Sequence, residues 1–191
     1  MPGSEFRTPP VSRWTTVQWT ESRQILDLLE WDALEAGLAS GSVEDGFAQL
    51  RERGSSNEAV FYLAAALPRF EAVRWGCRFL DELSRTDRLS APDQQALDSV
   101  QRWIGEPVEE FRRAALAASQ RASEDSPERL IALAAFFSGG NVSAPDLHPV
   151  EPPHHAAGRF AGAAILGGVY RNGPDPVRLQ RALQLGEEHA L

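Results

Sequence analysis

The sequence predicts an all-α fold, an irregular bundle of about eight or nine short helices in a single domain over residues 14–191. Apolar residues recur at helical spacing along most of the chain, and nowhere do β-branched residues alternate with polar ones over a strand length. Helix-capping residues precede several of these runs, and glycine or proline ends them. A stack of repeated helical hairpins is the second choice, since no repeat of about 34 residues is apparent.

Capping residues and stop signals delimit four helices in the first half of the chain. We predict them over residues 20–37, 42–54, 56–67 and 69–83. The third is apolar on all sides, which predicts a central helix. Pro68 ends it and begins the fourth, whose two apolar stripes predict contacts with two neighbouring helices.

The second half predicts five further helices, over residues 90–105, 107–118, 126–137, 156–170 and 177–189. Ser90 and Ser126 are the expected N-caps of the first and third of these. In the second, the charged residues, Arg112 and Arg113 among them, are expected to face outward from an apolar inner face. Glycines along the helix over 156–170 predict close packing against its neighbours in a soluble bundle.

The charge pattern excludes several classes of function. The net charge is −8, and all 19 basic residues other than histidine are arginines. Because lysine is absent, neither a Schiff-base lysine nor a P-loop lysine exists in this chain. An acidic chain also binds nucleic acid or anionic lipid poorly unless its arginines cluster on one face. We therefore expect no nucleic-acid partner and no membrane insertion, since residues 156–170 are too few to span a bilayer and include Arg159.

The first residues carry no helix signal. Residues 1–6 read MPGSEF, in which GSEF is a sequence that two adjacent cloning sites encode. Pro9 and Pro10 precede the first helical period. We expect residues 1–13 to comprise a cloning remnant and a disordered arm, and their deletion to leave the melting temperature nearly unchanged.

No set of residues assembles a catalytic centre, and no cofactor is predicted. The histidines His148, His154 and His155 are the one candidate metal site, and they define the alternative function, a metal-binding protein or an enzyme. They lie around a proline-rich loop without the i, i+4 spacing that prearranges two ligands on a helix. Cys77 lies on an apolar helix stripe and is expected to be a buried, inert thiol. A single cysteine forms no internal disulfide and suits the cytoplasm.

Residues 141–153 form a predicted loop, because they contain four prolines and no helical period. Such a loop either packs on its own bundle or presents an extended edge to a partner. The residues predicted to bind a partner are Asn141, Val142, Pro145, Leu147, Pro149 and Val150. Gly139 and Gly140 precede the loop, and we expect Gly139 to end the helix in the left-handed conformation, so that Gly139→Val destabilises the protein. The other residues with predicted structural roles are Pro68, Trp75 and Trp103.

Three segments carry a recognisable pattern. They are residues 63–75 (LAAALPRFEAVRW), 103–113 (WIGEPVEEFRR) and 134–147 (AAFFSGGNVSAPDL). The pattern resembles an uncharacterised bacterial family, a domain of unknown function, over about residues 60–191. Some members of that family are encoded near type VI secretion genes, which implies an accessory, adaptor or chaperone-like role without catalytic residues. The leading hypothesis is therefore a non-enzymatic helical adaptor that binds another protein, in a bacterial secretion system.

Overall fold

The computed structural model describes residues 13–32, 38, 41–144 and 146–191. These residues form nine α-helices: α1 (Ser22–Leu29), α2 (Val43–Glu52), α3 (Ser56–Ala66), α4 (Arg69–Ser84), α5 (Ala91–Gly105), α6 (Glu109–Ser119), α7 (Pro127–Phe136), α8 (Ala156–Tyr170) and α9 (Pro176–Ala190). Two isolated β-bridges are the only strand-like pairings within those ranges. The all-α prediction is confirmed.

Side-chain caps define several helix starts, as the sequence predicts. Ser42, Ser90 and Ser126 each accept a hydrogen bond from the backbone N–H three residues later, at the starts of α2, α5 and α7. The Ser42 cap is reciprocal, because the Asp45 carboxylate accepts from the Ser42 N–H at 3.1 Å. These three helix starts are therefore fixed by hydrogen bonds between residues close in sequence and do not depend on tertiary packing.

The first helix ends earlier than predicted. α1 stops at Leu29 because Glu30 adopts the left-handed conformation, with φ of 60°. The N–H groups of Glu30 and Trp31 then close on carbonyls of the last turn, at 3.2 and 2.9 Å. The sequence gives no sign of this stop, since glycine is the usual residue in that conformation. The rest of the predicted helix, residues 33–37, lies outside the described residues.

The core surrounds α8, which packs against α3, α4 and α7. Trp75 of α4 is fully buried, and its indole Nε1 donates to the carbonyl of Ala182 in α9 at 2.8 Å. Trp103 of α5 is buried as well. α3 is buried on nearly every side, and the sequence prediction of a central helix is confirmed.

The glycines of α8 allow its neighbours to approach closely. A Cβ on Gly158 would lie 2.7 Å from the carbonyl oxygen of Ala64, and one on Gly162 would lie 2.7 Å from the ring of Phe61. The prediction of close packing along this helix is confirmed. Within the described ranges, no helix has the length and apolar character that crossing a membrane requires.

The segment before α1 is fastened to the end of α9. The Thr15 N–H donates to the carbonyl of Ala190 at 3.0 Å. Of the predicted disordered arm, residues 1–12 lie outside the described residues. Its last residue, Arg13, forms an ion pair with Glu44 at 3.0 Å and so contacts α2.

Ion pairs tie the turn after α4 to α7 and α9. Asp87 accepts from Arg178 of α9 at 2.7 Å, and it lies 3.7 Å from Arg171 at the end of α8. Arg171 in turn pairs with Glu128, which is buried in the first turn of α7. The hydrogen bond from Arg178 lowers the pKa of Asp87 below its ordinary value.

Candidate functional site

The glycine turn before the predicted loop lies one residue later than expected. α7 ends at Phe136, and a further turn follows before the chain turns away. Gly140, not Gly139, takes the left-handed conformation, with φ of 67°. A Cβ on Gly140 would lie 2.9 Å from Arg112, whereas one on Gly139 would meet nothing within 4 Å. The prediction for Gly139 is therefore wrong, and the left-handed position belongs to Gly140.

Arg112 of α6 faces inward, contrary to the sequence prediction, and is only 4% exposed. Its guanidinium donates to the carbonyls of Phe136 and Asn141, the latter at 2.7 Å, and to the carboxylate of Glu109 at 2.7 Å. It also lies 4.7 Å from the centre of the Phe136 ring. Arg112 thus satisfies the carbonyl at the end of α7 and fixes the first residue of the loop.

The loop is closed on itself by hydrogen bonds from its two ends. The Asn141 side-chain oxygen accepts from the N–H groups of Ser143 and Val150, at 2.9 and 2.8 Å. The Val142 N–H donates to the carbonyl of Val150 at 2.9 Å. Ser143 Oγ donates to the carbonyl of His148 at 2.7 Å. The described residues of the loop, 141–144 and 146–150, therefore hold a defined shape outside any helix.

The predicted partner-binding residues divide into two groups. Asn141 is used inside the loop, and Val142 is half-buried. Leu147 and Val150 are 60% and 53% exposed, and Pro149 is exposed beside them. Pro145 lies outside the described residues. The loop therefore presents apolar side chains to solvent from a backbone that its own polar groups hold in place.

The three histidines do not converge. His148 is exposed within the loop, whereas His154 and His155 lie at the start of α8, where the His154 ring is 5.7 Å from the ring of Trp19. In the part of the chain that the structure describes, no three His, Cys, Asp or Glu side chains are placed to hold a metal ion. Among the described residues, the histidine-based alternative thus has no preformed set of metal ligands.

Cys77 is buried in α4, with 3% of its surface exposed. Burial raises the pKa of its thiol to about 12, and the charge of Asp81 adds to the shift. Because the thiolate is the nucleophilic form, a thiol in this setting is unreactive at neutral pH. The geometry agrees with the packing role predicted from the sequence.

A cavity of about 420 Å³ lies beside the loop, between α1, α3, α4 and the start of α8. Its polar lining residues are Gln18, Arg69, Glu151, His154 and His155. A second cavity, of about 340 Å³, lies between Arg69 and loop residues 149–152. Sequence reasoning missed both Arg69 and Arg112, because charged residues on amphipathic helices were placed on solvated faces.

A family model, DUF6931, described as a family of unknown function, matches residues 46–190. The chain belongs to this family. The match extends from α2 to the end of α9 and so includes α6, the loop and the arginines that border it. No curated protein matches the chain, and no solved structure matches it. Because the family has no assigned activity, a function has to be argued from the geometry of the site.

Proposed function

We propose that this protein is a non-enzymatic adaptor that binds another protein through residues 141–153. The observation that carries the proposal is the combination of a fixed loop backbone and exposed apolar side chains. Leu147 and Val150 face solvent, while Asn141 and Arg112 hold the backbone beneath them. Monomeric proteins gain nothing in stability from such exposed side chains, whereas a partner that covers them gains apolar contact area.

The fixed backbone favours binding because ordering a loop costs free energy. A flexible loop loses conformational freedom when a partner holds it, and this loss weakens the complex. Here the loop ends are joined by the Val142–Val150 and Asn141–Val150 hydrogen bonds before any partner arrives. A partner with an apolar groove would thus meet a surface that already has its bound shape.

The resemblance to a bacterial family with members near type VI secretion genes directs the choice of partner. We propose a component of a bacterial secretion system as the partner, and the cytoplasm as the compartment. Both parts of the proposal are tested by what the protein captures in its native cells.

The test is quantitative affinity capture from cells of the source organism with matched variants. Leu147→Asp places a charge at the centre of the proposed surface, and we expect it to abolish capture of the partner. Val177→Asp is the control, since Val177 is an equally apolar side chain, 77% exposed, on α9. Both variants should keep the helicity and melting temperature of the parent, because neither position is buried.

Two results would contradict the proposal. One is a set of captured proteins that is the same for the parent, Leu147→Asp and Val177→Asp. The other is tight, stoichiometric zinc in the purified protein that is lost on substitution of His154, which would favour the histidine-based alternative.

A further inference from the structure

The cavity beside α4 and α8 is lined by an arginine, Arg69, that has no hydrogen-bond or ion-pair partner among the residues that the structure describes. Arg69 is partly buried, and its Nε is fully buried without a hydrogen bond. Among the described residues, its terminal nitrogens also form no hydrogen bond or ion pair, and they are not enclosed. A guanidinium that is partly removed from water and unpaired is unfavourable unless an acceptor reaches it. This arginine is therefore positioned to receive one.

Other polar groups line the cavity beside Arg69. His154 and His155 lie on the same wall as the first residues of α8, and Arg69 is the first residue of α4. At the N-terminus of each of these two helices, no side chain of the N-cap residue accepts a hydrogen bond from the backbone N–H groups of the first turn. Glu151 is the single acid that lines the cavity, and no ion pair joins it to Arg69 in the described part of the chain.

Apolar side chains line the same cavity. They are Trp19, Leu28, Leu67 and Pro68, together with the alanines at the end of α3. A cavity of about 420 Å³ lies in the range that holds small organic ligands. A lining that combines Arg69 with these side chains suits a molecule with an apolar body and an anionic head.

We infer that this cavity binds a small organic anion, whose carboxylate or phosphate pairs with Arg69 and whose apolar body lies against Trp19. An arginine fork matches the two oxygens of either head group. The site goes beyond the proposed adaptor function and does not rest on it. The chain has a net charge of −8, so an anion site needs a local positive group, and Arg69 supplies it.

The test is a ¹⁵N NMR titration of the full chain with phenylacetate, phenyl phosphate and phenylacetamide. Phenylacetamide has the shape of phenylacetate without its charge. We expect saturable shifts of the Trp19 indole and the Gly158 amide with at least one of the two anions, and binding of phenylacetamide about tenfold weaker or more. The tighter of the two anions identifies the head group.

Matched arginine variants complete the experiment. Arg69→Gln should weaken anion binding about tenfold or more, whereas Arg121→Gln, which removes one positive charge from an exposed position, should leave it unchanged. Equal binding of phenylacetate and phenylacetamide to the parent protein would overturn the inference, as would shifts at other sites or no saturable binding. These readouts need only the parent protein, so they decide the question even where Arg69→Gln is unstable.

Discussion

At the scale of single residues, Arg112 and Gly140 determine the direction in which the chain leaves the end of α7 and enters the loop. A buried arginine is tolerated only when its donors are satisfied, and Arg112 reaches two backbone carbonyls and a carboxylate. Gly140 allows this because it lacks the Cβ that would meet the guanidinium. The two residues act together, because the absence of a side chain at Gly140 leaves room for the guanidinium of Arg112, which then donates hydrogen bonds to the backbone.

Gly140→Val should destabilise the protein by about 2 kcal/mol or more, because a β-branched side chain is strained at positive φ and would displace Arg112. Gly139→Val is the matched control, and we expect it to cost less than about 1 kcal/mol, since its Cβ meets open space and its φ is not left-handed. Urea unfolding of both variants measures the difference. An equal loss of stability at the two positions would contradict this account of the turn.

The sequence predicted that a glycine turn ends α7, but it assigned the left-handed conformation to Gly139 instead of Gly140. The choice depends on the position of Arg112, which comes from a helix more than twenty residues away in sequence. The charge of Arg112 and its spacing in the helix predicted that it lies on the outer face of α6. That prediction used only residues near Arg112 in sequence. The position of the end of α7 against α6 is a tertiary fact that they do not contain.

At the scale of helices, all starts lie within two residues of the prediction, and so do all ends except that of α1. Ser42, Ser90 and Ser126 cap their helices through bonds to residues three positions away, which sequence spacing reveals. The end of α1 depends on Glu30 in a left-handed conformation, and nothing in its residue type indicates that. The glycines of α8 predicted that its neighbours pack closely against it, but they did not indicate which helices those neighbours are.

Gly158→Ala should destabilise the protein by about 1–3 kcal/mol, although alanine favours helices over glycine by about 1 kcal/mol. The new Cβ would lie 2.7 Å from the Ala64 carbonyl oxygen, and backbone of a central helix does not move cheaply. Gly105→Ala, at the exposed end of α5 with nothing within 4 Å, should be neutral or stabilising. Thermal and urea unfolding compare them. A Gly158→Ala protein as stable as the parent would mean that α3 and α8 are farther apart.

At the scale of the whole molecule, ion pairs join helices that are distant in sequence. Asp87 and Glu82 each have a pKa held below the ordinary value, chiefly by a hydrogen bond from an arginine of α9, Arg178 and Arg181, respectively. The pKa of Glu109 is lowered in the same way by Arg112, which lies one turn later in α6. Some of the acidic residues that give the chain its negative net charge thus form ion pairs within the fold. The side chain of Asp87 is the least exposed of the three.

These carboxylates should make the protein less stable in acid. For Asp87, the unfolded chain takes up a proton near pH 3.8, whereas the folded chain takes it up only at lower pH. The stabilisation is therefore fully present above that value and is lost as the pH falls through the lower folded-state pKa. Asp87→Asn should lower stability at neutral pH and flatten its dependence below about pH 5, whereas Asp98→Asn, an exposed position, should change neither. Parallel pH profiles for Asp87→Asn and the parent would contradict the role of Asp87.

The position of the candidate site in the chain could be predicted from the sequence, but the contacts that hold it could not. Prolines and the absence of a helical period located residues 141–153, and the apolar residues between the prolines indicated Leu147 and Val150. Hydrogen bonds that hold the loop, such as that from Arg112 to Asn141, form where separate helices meet. Arg69, which has no partner among the described residues, also lies where helices meet. No spacing within one segment could reveal either.

The most direct measurement is photo-crosslinking from the loop in cells of the source organism. A photoreactive amino acid replaces Leu147 in one variant and Val177 in another, since both side chains are exposed and apolar. The account predicts a discrete covalent adduct with one protein from position 147 and none from position 177. No adduct from position 147, or the same adducts from both positions, would contradict the claim that the loop is a protein-binding surface.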